Sequence, residues 1–359
     1  MTAFRDQGGL HERQQDPTGH PRPGCPKRMV YGPCGGVHDD GSCEVDSEPC
    51  PFAAMTEALP WPTPAVGPTS RSDLLRRAQD GPVVLADFSA PAFDVETLAR
   101  VCAIMAGSSD AVLVGEHQSR PDFPPTLMAQ FISETGCRPW ITLTCRDRNR
   151  VVLEQELAGL RSSGADGVFC ATGDGRAPGV RAGVTQVFDL DGTRLAALAA
   201  AAGLPVGVPE APQAVPTAVR PGRLLQKQRA GAQLAVLNHV GTAAQLSDFV
   251  AAAQGLGVDI PIIAGVAVYS DERSANVLAA FPGLHLSRQV IDRVLSAPDP
   301  VEAGIAAAVE EANEVLSIDG VVGVNLSGMA AGTGAIDGAR IKAEVGTRIR
   351  DGHRGARRR

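Results

Sequence analysis

The chain has 359 residues and a formal net charge of -7, with 44% hydrophobic but only 4% aromatic residues. This length accommodates one large domain and a small appendage, whose core we expect to consist of Ala, Val, Leu and Ile. The acidic balance argues against nucleic acid as the main partner. No apolar run approaches the ~20 residues of a membrane span, and the N-terminus has no apolar signal region. We therefore expect a cytoplasmic protein without a membrane partner.

The N-terminal part of the sequence predicts a disordered stretch, residues 1–24, followed by a cysteine-rich module, residues 25–56. The module holds Cys25, Cys34, Cys43 and Cys50, with gaps of eight, eight and six residues between them. A glycine-rich segment with little apolar surface needs another source of order, and reduced thiols bind metal rather than pair. We favour one Zn²⁺ held by these thiolates over two disulfides, although the close cysteine pairs of common zinc fingers are missing. A four-cysteine sphere is closed, which indicates a structural metal.

Residues 57–72 are rich in proline and predict an extended linker. From 73 to 350, short apolar runs alternate with helical segments, and a basic tail, residues 351–359, ends the chain. The runs that predict strands are Val83–Phe88, Ala111–Gly115, Trp140–Cys145, Gly167–Thr172, Pro205–Val208, Leu234–Asn238, Pro261–Val268 and Gly320–Asn325. Helical segments include Asp94–Ala106, Arg150–Gly164, Thr193–Ala202, Thr242–Leu256 and Pro298–Ser317. Asp94 and Thr193 are predicted N-caps.

The strand runs are almost continuously apolar, as in parallel strands that are covered on both faces. Eight such repeats predict a (β/α)8 TIM barrel preceded by the cysteine-rich module. A doubly wound sheet is the alternative, but no G-x-G-x-x-G follows the first strand. In a barrel, chemistry lies at the C-terminal ends of the strands. The polar residues predicted at those ends are Asp87, Glu116, Thr144, Asp174, Glu210, Asn238 and Asn325.

Several motifs resemble those of the methylenetetrahydrofolate reductase family. They are ITLTCRDRNR at 141–150, ATGDG at 171–175, VFDLDGTRL, the dipeptide Pro209–Glu210, KQRAGA at Lys227–Ala232, IPIIAGVAV and GVNL. The likeness covers roughly Val83 to Asn325. The patterns CPK, GPCGG and GSCEV resemble the family's zinc-binding C-terminal module. The resemblance implies that methylenetetrahydrofolate is reduced to methyltetrahydrofolate, with FAD relaying a hydride from NAD(P)H.

The resemblance also implies roles for individual residues. It places the proton-donating acid at Asp87, with Glu116 as an alternative donor, and matches Asp174 to the carboxylate that contacts the pterin and influences the flavin. Asn238 stands where the family has a glutamine that holds the pterin, and Lys227 matches a lysine near the FAD phosphates. The expected cofactor-binding set is Thr142, Thr144, Gly173, Asp174 and Lys227. From the residues alone, Asp87 is equally well a cap, and Lys227 a solvated lysine.

Some positions depart from the family pattern. Thr142, Thr172, Val208 and Pro212 replace a His, an Arg, a Tyr and a His that lie around the flavin, so FAD binding is expected to be weakened or lost. The charge run 146–150 reads as a solvated face. Three hypotheses stay open: a reductase that uses FAD or takes hydride directly, a folate-binding methyltransferase, and a non-catalytic subunit. The expected partners are a tetrahydrofolate substrate and a second copy or a reductase subunit.

Overall fold

A computed structural model describes residues 20–62, 71–117, 119–176, 179–281 and 283–357. Its eight strands are parallel and close into a barrel in sequence order. They are β1 (Val83–Phe88), β2 (Ala111–Val114), β3 (Pro139–Thr144), β4 (Gly167–Ala171), β5 (Val206–Glu210), β6 (Leu234–Leu237), β7 (Ile262–Tyr269) and β8 (Val321–Ala330). The predicted TIM barrel is confirmed, because β8 pairs back with β1. Residues 1–19 of the stretch predicted to be disordered lie outside the described residues.

Helices alternate with the strands. They are α1 (Asp73–Asp80), α2 (Val95–Met105), α3 (Pro125–Glu134), α4 (Arg150–Leu160), α5 (Gly192–Ala201), α6 (Arg220–Arg229), α7 (Ala243–Gly255), α8 (Glu272–Ala279), α9 (Arg288–Leu295), α10 (Pro300–Val315) and α11 (Ala335–Arg357). Asp94 caps α2 as predicted, accepting a hydrogen bond from Thr97 N. The prediction for α5 is wrong, because Asp191 is its N-cap and Thr193 is one of the donors. No helix in the described ranges is both long and apolar enough to cross a membrane.

The lower half of the barrel interior is filled by side chains. Trp140 is completely buried there, next to Leu85, Phe169 and Ile263, and Leu74 of α1 belongs to the same cluster. A Cβ at Gly167 would lie 2.7 Å from the Trp140 ring, so glycine is what makes room for the indole. Because the N-terminal end is closed in this way, open space is left at the C-terminal ends of the strands.

The cysteine-rich module, residues 25–56, packs against the C-terminal ends of β4 to β6. Its Val30 N donates to Asp191 Oδ2 at 3.1 Å, and its Glu44 Oε2 accepts from Gly175 N at 3.2 Å. Its own buried apolar cluster is small and is built around Met29 and Phe52. The module is therefore ordered on the barrel rather than as an independent core.

The described part of the linker also lies on the barrel. Trp61 is buried and packs on Tyr31, with 5.0 Å between the ring centroids. Gln226 of α6 donates to Leu59 O. The linker thus holds the module against α6, and residues 63–70 lie outside the described part.

Candidate active site

A cavity of about 420 Å³ lies at the C-terminal ends of the strands. The barrel residues that the sequence predicted as catalytic, cofactor-binding or substrate-binding all line it: Asp87, Glu116, Thr142, Thr144, Gly173, Asp174, Lys227 and Asn238. Parallel strands bring their C-terminal ends to one face of a barrel, which explains why residues so far apart in sequence meet. The cysteine-rich module adds further lining residues, including Lys27, Cys34 and Glu44.

Asp87 at the end of β1 is held by neutral donors. Its Oδ1 accepts from Asn325 Nδ2 at 2.8 Å, and its Oδ2 accepts from Gly328 N at 3.0 Å. Behind it, Lys342 of α11 donates to the Asp87 carbonyl oxygen at 2.5 Å. Burial lowers the pKa of Lys342 to about 8, although Asp87 acts in the opposite direction. Asp87 is therefore a fixed acceptor rather than a surface cap.

Asn325 of β8 brings an amide oxygen to the site. The residue is 4% exposed, and its Nδ2 donates to both Asp87 and Ser327 Oγ. Within the described residues, its Oδ1 is buried and has no hydrogen-bond partner. A buried acceptor without a donor is costly, which is the kind of cost that a bound ligand removes.

Glu116, after β2, is engaged by two partners. Thr144 Oγ1 donates to Oε2 at 2.6 Å, and Arg148 Nη1 donates to Oε1 at 2.7 Å. The expectation that the charge run 146–150 is a solvated face is wrong for Arg148 and for Arg146, whose side chain is only 3% exposed. It holds for Arg150, which pairs with a neighbour on the outside of α4. Sequence patterns give the charge of such a run but not which member turns inward.

Asp174 lies in the loop after β4 and differs from the other two carboxyl groups. Within the described residues no hydrogen bond reaches its side chain, and its charged neighbours are Lys27, Glu44 and Arg146. Burial raises its pKa, with Glu44 acting in the same direction and the two cations in the opposite one. Burial therefore favours the neutral form of Asp174.

The loop that carries Asp174 is fixed by contacts with the barrel and with the cysteine-rich module. Gly173 has a φ of +90°, and a Cβ there would lie 2.9 Å from Thr144 Cβ, so the loop needs glycine. From the module, Lys27 Nζ donates to Gly173 O at 2.6 Å and pairs with Glu44. Lys27 and Glu44 were missed by the sequence reasoning, although both lie in the quoted cysteine motifs.

Glu210, at the end of β5, is a fully buried anion. Lys227 Nζ donates to its Oε2 at 2.8 Å, and Arg220 Nη1 lies 3.6 Å from its Oε1. Burial alone would raise the pKa of Glu210, but Lys227, Arg220 and Arg223 outweigh it and hold the pKa below its ordinary value. Lys227 is thus neither solvated nor free to bind a phosphate.

Two of the five predicted FAD ligands are engaged with other side chains of the described structure. Lys227 is bound to Glu210, and the Thr144 hydroxyl donates to Glu116. No chemical step is therefore assigned to a flavin. The aromatic residues that line the cavity are phenylalanines: Phe88, Phe169 and Phe281.

Asn238, the predicted pterin ligand, follows β6 and lines the cavity. Its backbone N donates to Glu210 O at 2.9 Å, which ties it to the neighbouring strand end. Next to it, the mouth is bordered by apolar residues of α8 and the following turn, including Val277 and Phe281, which are 50% and 47% exposed. This side of the cavity is suited to one face of a planar ring.

The four cysteines predicted to hold zinc are all free thiols, Cys25, Cys34, Cys43 and Cys50. They are neighbours, because Cys34 interacts electrostatically with the other three. Burial raises the pKa of Cys25, Cys43 and Cys50, which disfavours their thiolates. Among the described residues, no three potential ligands surround a common point. No chemical step is therefore assigned to a metal, and the zinc ligands stay a prediction.

Comparison with known proteins places these features in a family. A model described as methylenetetrahydrofolate reductase matches residues 99–332, and one described as methylene-tetrahydrofolate reductase C terminal matches residues 19–61. No curated protein sequence matches the chain significantly. Among solved structures, an uncharacterized protein from Clostridium thermocellum that binds two copies of 5-methyl-5,6,7,8-tetrahydrofolic acid is similar, with a TM-score of 0.59 at 12% identity. That match covers 76% of this chain and 97% of the other.

Two further structures match at 14% identity. Oxaloacetate acetylhydrolase gives a TM-score of 0.43 and covers 72% of this chain and 81% of its own. Tryptophan synthase from M. tuberculosis gives 0.44 and covers 78% and 100%. At 12% identity the Clostridium thermocellum match shows the fold alone, and these two carry no argument. The reductase family model, in contrast, spans more than half of the sequence. The chain therefore belongs to the methylenetetrahydrofolate reductase family.

Proposed function

We propose that the chain reduces methylenetetrahydrofolate to methyltetrahydrofolate by hydride transfer from NAD(P)H inside the barrel cavity. The observation that carries this proposal is that three carboxyl groups line one cavity and differ in their hydrogen-bond partners. Asp174 has a raised pKa and no hydrogen bond from the described residues. Asp87 and Glu116 are held as acceptors. The family match and the folate bound by the Clostridium thermocellum protein both support a folate substrate.

The reaction needs one acid and one hydride. Protonation of the aniline nitrogen lets the pair of electrons of its bond to the methylene carbon move onto that nitrogen, which leaves an iminium cation. Hydride from NAD(P)H then adds to the methylene carbon and gives the methyl group, with NAD(P)⁺ as the other product. Asp174 is the group best suited to donate the proton, because burial favours its neutral form. Solvent reprotonates it after each turnover.

The opposite side of the cavity is suited to the cationic intermediate. The Asp87 carboxylate is oriented by Asn325 and Gly328, and a preorganised anion of this kind stabilises a cation without reorganising. The free Oδ1 of Asn325 provides an acceptor for a ring N–H of the pterin. Asn238 supplies a second amide beside the apolar border formed by α8. In this arrangement Asp87 binds and Asp174 protonates, the reverse of the roles that the resemblance implied.

Direct hydride transfer from NAD(P)H is favoured over relay through FAD, because two of the five expected flavin ligands, Lys227 and Thr144, are engaged with other partners. The test is an anaerobic assay of the full chain with methylenetetrahydrofolate and NADH or NADPH, without and with FAD. We expect methyltetrahydrofolate to form without FAD. Formation only after FAD is added would contradict the direct route, and no product under any condition would contradict the reductase.

Cys34 keeps methyl transfer as a second candidate, because this thiol also lines the cavity. A folate methyltransferase would consume methyltetrahydrofolate without NAD(P)H, and the same assay with methyltetrahydrofolate and a thiol acceptor separates the two.

We further propose that Zn²⁺ is structural in the cysteine-rich module, where binding would draw the four free thiols together. One zinc per chain in the purified protein, lost in Cys34→Ser, is expected. A protein purified without zinc that neither binds it nor gains stability from it would contradict the proposal.

A further inference from the structure

A second cavity, of about 470 Å³, opens beside the barrel cavity. It lies between the loops that follow β2, β3 and β4, and we call it the arginine cleft. It shares wall residues with the barrel cavity, namely Phe88, Gly115, Glu116, Thr142 and Arg146. A ligand whose ring lies in the barrel cavity can therefore extend into the arginine cleft.

Five arginines line this cleft: Arg120, Arg146, Arg148, Arg176 and Arg181. Arginine presents a planar fork of donors that matches the oxygens of phosphate and carboxylate groups. Lysine is missing from the lining residues that the structure describes. The composition thus indicates recognition of an oxyanion rather than a general positive surface.

The carboxylates of the cleft do not neutralise all of these arginines. Asp147 alone takes two guanidinium groups, from Arg146 at 2.9 Å and from Arg176 at 2.7 Å. Asp122 is occupied by the backbone amides of Phe93 and Phe123. The described lining residues include four acids, Glu116, Asp122, Asp147 and Glu156, so the five arginines leave one positive charge in excess.

Two of the five arginines lie at the opening of the cleft. Within the described chain, neither Arg120 nor Arg181 is ion-paired, and both are exposed at the opening. Arg120 donates to Ala90 O at 3.3 Å, which holds it over the cleft. The acid Glu156 accepts a hydrogen bond from the Thr126 hydroxyl at 2.8 Å and keeps its charge.

We propose that the arginine cleft is an oxyanion subsite that binds the anionic arm of a reactant whose ring occupies the barrel cavity. The inference rests on the proposed function, because both reactants of that reaction carry such an arm. NAD(P)H carries a diphosphate, and the folate carries the carboxylates of its glutamyl tail. In either case the cleft fixes the far end of the molecule and thereby sets the position of its ring relative to Asp174.

The test compares the full-length wild type with the double variant R120A/R181A and with R150A. Arg150 belongs to the same charge run but pairs with Glu154 outside the cleft, which makes it the matched control. Isothermal titration calorimetry measures dissociation constants for ADP-ribose, which has the diphosphate without nicotinamide. It also measures them for methyltetrahydrofolate with one and with several glutamyl residues. Circular dichroism verifies that each variant is folded.

For the ligand whose arm occupies the cleft, we expect the double variant to bind about tenfold more weakly and R150A to bind like the wild type. The difference should shrink as salt is added. An effect on ADP-ribose alone assigns the cleft to the diphosphate, and an effect that grows with glutamyl number assigns it to the folate tail. Unchanged constants for every ligand, or equal losses in R150A, would overturn the inference.

This experiment separates the inference from the proposed function, because it measures binding without turnover. A chain that forms methyltetrahydrofolate while the arginine variants bind like the wild type keeps the reductase and loses the subsite. A chain that shows arginine-dependent binding but forms no product keeps the subsite and loses the reductase.

Discussion

Two sides of the same cavity hold their carboxyl groups with different kinds of partner. The covered wall, at the ends of β4 to β6, lies under the cysteine-rich module, where the anions Glu44 and Glu210 are paired with Lys27 and Lys227. The open wall, at the ends of β8 and β1, holds Asp87 with neutral amide donors. The difference shows how a symmetric barrel obtains an asymmetric site: the appended segment adds a buried ion pair to one wall, whereas residues of the strands alone hold Asp87 on the other.

The largest expected effect tests which wall carries the proton donor. Asp174→Asn should reduce kcat by roughly 10²–10⁴-fold, the range for loss of a general acid. Asp87→Asn should act mainly on the folate KM, because Asp87 binds rather than protonates. Steady-state kinetics of both variants, with the surface variant Asp292→Asn as control, make the comparison. A larger loss of kcat in Asp87→Asn would move the acid to the open wall.

The second prediction concerns the buried pair that joins the module to the covered wall. Lys27→Met should lower the free energy of unfolding by about 3–5 kcal/mol, because Glu44 is left as an unpaired buried charge. The double variant Lys27→Met/Glu44→Met should recover much of this loss. Urea unfolding of the full chain measures it, and Arg348→Met, which breaks an exposed pair, should change little. Equal losses in the single and double variants would mean that the pair is not coupled.

Lys342 lies behind the open wall and donates to the Asp87 carbonyl oxygen. The pKa of Lys342 falls to about 8 in the folded chain from an ordinary 10.5, so below pH 8 the fold bears a buried charge. Between these values the unfolded chain keeps a proton that the folded chain has released, so stability rises with pH. Relative to Lys342→Met, the wild type should gain about 3 kcal/mol between pH 8 and 10.5. Parallel stability curves for the two proteins would contradict this.

The smallest expected effect is at the amide of the open wall. Asn325→Ala removes one donor to Asp87 and the free acceptor Oδ1, and should raise the folate KM about tenfold with little change in kcat. Asn325→Ser, which restores a short polar group, serves as the partial-rescue control. If the KM is unchanged and only stability falls, Asn325 has a structural role alone.

The sequence anticipated much of the fold because its signals are local. Continuous apolar runs marked all eight strands, and the predicted span of β1 matches the observed one. Because chemistry in a barrel lies at the C-terminal ends of the strands, the sequence then identified polar residues that line the cavity. The cap of α5 was misplaced by two residues, because Asp191 and Thr193 are both good capping residues and only the backbone conformation chooses between them.

The charge network was beyond the reach of these patterns. The sequence by itself determined a parallel barrel, a family and a ring of polar strand ends, since periodicity and motif spacing act over a few residues. The tertiary structure decided that Lys27 reaches Gly173, that Lys227 is bound to Glu210, and that Arg146 turns inward. Burial and pairing of a charge depend on how separate segments pack, over 146 residues in the case of Lys27 and Gly173, and no local pattern records that packing.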